Sequence, residues 1–73
     1  KEKKMRRTVA FKTNEPKRTK KVFMDSGYDD IIEQDNGVAV CLKADGIQEM
    51  KMLMDELMCV AKKAGAQFLG YIG

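Results

Sequence analysis

Asn36 and Gly37 stand between two apolar-bearing runs, "DDIIEQ" before and "VAVCLK" after. Asparagine and glycine tolerate positive φ, so the pair reads as the two centres of a type I′ turn, whose twist matches that of the strands it joins. The spacing predicts a hairpin with strands at Asp30 to Gln34 and Val38 to Lys43. Everything else in the chain must then pack against a hairpin at its middle. With 73 residues there is room for one small domain and one core, a size that buries only about 60% of the unfolded surface.

On the N-terminal side, "RRTVAFK" alternates Val9 and Phe11 with Thr8, Ala10 and Lys12, the period of a half-buried strand over Arg6 to Lys12. Residues 1 to 5 before it are too charged to pack and are expected to fray, leaving residues 6–73 as the single domain. "TNEP" follows, with Thr13 or Asn14 suited to cap a helix and Pro16 to its first turn. That helix is predicted over Pro16 to Asp25, its apolar side being Val22, Phe23 and Met24, with Gly27 ending it.

After the hairpin comes a second helix, from Gly46 to Ala64, capped by Asp45 and ended by Gly65. At about 100° per residue, Ile47, Met50, Leu53, Met54, Leu57, Met58, Ala61 and Ala64 share one face, with Val60 at its edge. "QFLGYI" at 67–72 supplies a last strand. The order β-α-β-β-α-β implies two interleaved right-handed crossovers. The predicted fold class is therefore α+β, a ferredoxin-like sandwich with a four-stranded antiparallel sheet and both helices on one face. Val38, Val40 and Leu42 should face the helices, and Ala39, Cys41 and Lys43 the open side. Cys41 and Cys59 then lie in different layers, too far apart for a disulfide, whose Cα atoms must approach within about 7 Å. Two reduced thiols imply a cytoplasmic setting.

Several functions are disfavoured by what the chain carries. The apolar runs fall short of the roughly 20 residues that span a bilayer, so no membrane association is expected. There is no histidine, hence neither the commonest near-neutral base nor the commonest metal ligand. The cysteines have no zinc-ligand spacing, and neither has a base beside it. No Gly-rich phosphate loop is present. The chain reads as a non-enzyme without metal or cofactor.

Charge is divided. Residues 1–24 hold ten Lys or Arg against two Glu, a net of +8, while residues 25–73 hold four Lys against nine acids, a net of −5. The basic residues Arg6, Arg7, Lys12, Lys17, Arg18, Lys20 and Lys21 read either as a solvated face or as a contact for phosphates or an acidic partner. Against RNA, this fold usually stacks bases on aromatics of its central strands. Here the open face offers Thr8, Ala10, Lys12, Ala39, Cys41 and Lys43, and only Tyr71 or Phe68 of the last strand is placed to substitute. The acids Asp25, Asp29, Asp30, Glu33 and Asp35 lack the spacing of a calcium loop and read as a solvated edge that discourages sheet-to-sheet pairing. Met52 and Cys59, with Asp55 and Glu56, fall opposite the core face of the second helix. They read as scattered surface residues or as an adaptable patch for a protein partner.

The stretch "VAVCLKADGIQEMKMLMDELMCVAKKAGAQFLGY" resembles the C-terminal half of the regulator of ribonuclease E activity B family. The echo is carried by Cys41, Ile47, Leu57, Met58, Ala61, Lys63, Phe68, Gly70 and Tyr71. The resemblance implies a ferredoxin-like protein that inhibits an endoribonuclease by binding it. The chain differs in its basic front half. The expected function is thus a small regulatory binding protein that modulates a larger macromolecule such as a nuclease by protein contact. The alternatives are a nucleic-acid-binding module that uses the basic half, and a homodimer formed through the open sheet face or an edge strand.

Overall fold

Alternation in the first strand, β1 (Met5–Lys12), sets the sides of the molecule. Val9 and Phe11 are buried while Arg6 and Lys12 are exposed, so odd positions face the interior and even positions the open side. The computed structural model describes residues 4–72. Of the residues 1–5 expected to fray, Met5 lies in β1 opposite Ala44, and residues 1–3 fall outside the described residues.

The remaining elements are α1 (Pro16–Asp25), β2 (Ile31–Gln34), β3 (Gly37–Ala44), α2 (Ile47–Ala64) and β4 (Gln67–Ile72). The four strands form one sheet in the order β2-β3-β1-β4, antiparallel throughout. Phe23 of α1 and Met50, Leu57 and Ala61 of α2 share one core with Val9, Phe11, Val38, Val40 and Leu42. Both helices therefore cover the same face, and the chain has the ferredoxin-like arrangement.

The hairpin turn sits one residue earlier than its Asn-Gly pair implies. Gln34 pairs with Gly37, leaving Asp35 and Asn36 as the loop, and neither has positive φ. Gly37 is required for another reason. It is buried in β3 opposite Lys12, and a Cβ there would run into the Phe11 carbonyl oxygen. The glycine is selected for closeness of two backbones rather than for its left-handed freedom.

Helix ends also depart from expectation. The α1 N-cap is Glu15, which makes no side-chain cap bond. Thr13 acts one step earlier, accepting the Glu15 N–H at 3.1 Å and sharing a 2.8 Å hydrogen bond with the buried Thr19 hydroxyl. This pair joins the end of β1 to α1 with no polar atom left over. At the other end Gly27, at φ 103°, turns the chain so that the Tyr28 N–H reaches the Phe23 carbonyl at 3.1 Å. Gly46, not Asp45, is the N-cap of α2, and the Asp45 N–H is instead held by the Glu49 carboxylate at 2.6 Å.

Two expected core residues lie outside. Met24 is exposed at the end of α1, where Thr19 and Phe23 are the buried residues. Ile47, the first residue of α2, is 74% exposed, while Met50 three residues on is buried. Ala39 departs the other way: it points to the open side yet is buried, its small methyl shielded between its ladder neighbours Ala10 and Ile32.

Candidate protein interface

The last strand is where the fold leaves most apolar surface uncovered. β4 pairs only with β1, and its register shifts between Ala10 and Phe11 so that Leu69 is an extra residue beside Gly70, which takes φ 150°. This bulge brings Phe68 opposite Phe11 and Tyr71 opposite Val9, both on the helix side of the sheet. Their rings lie 5.6 Å apart edge to face, and Phe68 also meets Phe11 at 6.1 Å. The two aromatics, the only ones the sequence offered as substitutes for base-stacking groups, are thus not on the open face. No residue of β4 is buried; Leu69 is 61% and Tyr71 51% exposed.

Between β4 and α2 runs a groove of about 390 Å³ walled by Met5, Ile47, Met50, Met54 and Tyr71. Arg7 crosses it, half-buried. Its guanidinium stands 4.8 Å over the Tyr71 ring and donates to the Met54 sulfur at 3.9 Å. Cation and ring attract because the ring face is electron-rich, by about 0.5 to 1 kcal/mol at an exposed site. The rim carries Lys51 and Asp55.

Met52, Asp55, Glu56 and Cys59 are all exposed and fall within one side of α2, as their spacing predicts. Tyr28, from the turn after α1, stands at this stripe. Burial first, then the negative charges of Glu56 and Cys59, push its phenol above the usual tyrosine range. The folded protein therefore holds this proton more tightly than the unfolded chain. The resulting stability is whole below pH ~10 and is lost as pH rises through the folded value. Ultraviolet titration should show part of the tyrosinate signal appearing at higher pH in the folded protein than in urea, and Glu56→Gln should bring it down. A folded curve superimposable on the unfolded one would refute this placement.

The basic set does not form one surface. Arg7 is in the groove, Arg6 and Lys12 are on the open sheet face, and Lys17, Arg18, Lys20 and Lys21 are on α1. Lys17 and Arg18 line a crevice with Glu33, Gln34 and Asp35, so basic and acidic runs that are separate in sequence meet at one crevice. The only ion pair among the described residues is Arg18 with Glu15 at 3.4 Å, an exposed contact of small energetic weight. On the open face Arg6 lies directly opposite Lys43.

Cys41 and Cys59 are both free. No helix among the described residues is long and apolar enough to cross a membrane. The last strand is an edge, as the sequence implies, but the groove was missed because its residues come from β1, α2 and β4. Among known proteins, the chain matches no family model, and no curated protein or solved structure matches it significantly.

Proposed function

We propose that this chain is a non-catalytic regulatory binding protein that acts on a larger macromolecule through protein contact. The observation that carries this is the amount of apolar side chain left outside. Eight large hydrophobic residues are exposed, against eleven buried ones of which three are alanines. Single exposed apolar residues are ordinary, but an aromatic pair on a bare strand beside an arginine has the composition of an interface, and Met52 stands apart from it on α2. The resemblance over residues 38–73 supports a nuclease as the class of target. Met52, with Cys59 beside it and Asp55 and Glu56 around it, offers a flexible grip with an acidic surround.

A second reading, contact with a nucleic-acid backbone, is favoured by the Arg6 and Lys43 pair. Like charges directly opposite in a ladder repel, and a phosphate between them would relieve the repulsion. Cross-linked capture from the source cell separates the two. The expected result is one protein recovered by the native chain and lost with Met52→Lys. Failure to recover any protein, together with salt-steep binding of random single-stranded RNA that Arg6→Ala weakens, would replace the first reading with the second.

A further inference from the structure

The two edges of the sheet are treated differently. β2 is four residues long and its surroundings carry Asp29, Asp30, Glu33 and Asp35, charges of the kind that stop an edge from pairing with another chain. β4 is six residues long and carries no charge at all. Its outer backbone donors and acceptors face away from β1, and Phe68, Leu69, Tyr71 and Ile72 stand exposed along it. Phe68 and Tyr71 lie with Ile47 on the helix side of the sheet and Ile72, opposite Thr8, on the open side, so the strand is apolar on both of its faces.

Resting on the reading that this chain works by protein contact, we propose that β4 is where two copies of it meet, the strands pairing antiparallel about a two-fold axis into one eight-stranded sheet. Three observations select a second copy over another occupant. A neutral strand can pair with itself without placing like charges face to face, and antiparallel pairing lets each copy satisfy the other's outer ladder groups. The adjoining groove carries both signs, Arg7 and Lys51 with Asp55, which is what a patch contacting its own image requires; a strongly acidic or basic partner would be matched by only part of it. Pairing the two strands covers part of this apolar surface on both copies, at the small end of specific interfaces.

In the dimer Phe68 of each copy lies across from Tyr71 of the other, while Met52, Glu56 and Cys59 remain outside for the target. Sedimentation of the full chain between about 1 and 200 µM tests this, the range in which an interface of such modest size associates. The expected result is a mass that doubles across the range, with amides of residues 67–72 gaining hydrogen-exchange protection as it does. Leu69→Lys should weaken association about tenfold or more, since it sets like charges at the new ladder. Leu69 is largely exposed, so the variant should keep the native circular dichroism spectrum. Ile32→Lys, on the β2 edge, should dimerise as the native chain does. A native chain that stays monomeric throughout, a dimer unaffected by Leu69→Lys, or protection appearing at residues 31–34 would each overturn the proposal. A monomer that still captures a different protein would sink the dimer and leave the binding reading standing, whereas a dimer that captures nothing would do the reverse.

Discussion

Phe23→Ala is expected to remove about 3 to 5 kcal/mol of folding stability, the range for deleting a wholly buried aromatic ring. A domain of 73 residues has roughly 4 to 11 kcal/mol in total, so the loss takes about half of it. Context places this site at the upper end. The ring lies 5.5 Å from Phe11 and 6.2 Å from Tyr28, and the only other buried residue of α1 is Thr19. Without Phe23 the helix keeps no large apolar anchor to the sheet, and a ten-residue helix is marginal by itself. Urea unfolding followed by circular dichroism measures the loss. Phe23→Leu should retain most of the stability. An alanine variant within about 1 kcal/mol of native would show that α1 does not depend on this contact.

Gly37→Ala should cost about 1 to 3 kcal/mol, the range for forcing extra atoms into a packed site, and lower the melting temperature by about 4 to 8 °C for each of them. The added methyl meets the Phe11 carbonyl oxygen, a backbone atom that cannot rotate away, so β1 and β3 must separate locally. Gly46→Ala is the control. That residue is extended, at φ −169°, with open space where its Cβ would go, so the substitution should be near neutral. Equal effects at the two positions would refute the steric explanation and point to chain entropy instead.

Local pattern carried the fold a long way. The alternation around Val9 and Phe11 gave β1, and Pro16 at one end with Gly27 beyond the other placed α1 over the very residues observed, Pro16–Asp25. What pattern could not supply was where an element sits relative to its neighbours. Ile47 has the right angle on the helical wheel for the core, but angle says nothing of position along the axis: Ile47 at the first position of α2 is exposed and Met50 is buried. Asn36-Gly37 has the composition of a left-handed turn, yet the partner across the ladder decided the register: Gly37 is held close to Phe11, and the loop moved back by one residue. In "QFLGYI" the bulge breaks the period of two, so Phe68 and Tyr71, three apart, share a side that simple alternation would deny them. The candidate site was legible only in part. The stripe from Met52 to Cys59 follows from one helix, whereas the groove around Arg7 needs three elements brought together by topology.

The position of β1 has a consequence for how the molecule comes together. The strand that is first in sequence is interior to the sheet, with Thr8 meeting Cys41 on one side and Ile72 on the other. The β2-β3 turn can close early because it brings near neighbours together, but the β1-β4 ladder joins the two extremes of the chain and must pay the entropy of a long loop first. Assembly is therefore gated by its slowest and most distant zipper. Until that zipper closes, β1 itself is a naked margin, open to whatever extended segment arrives before its own last strand does.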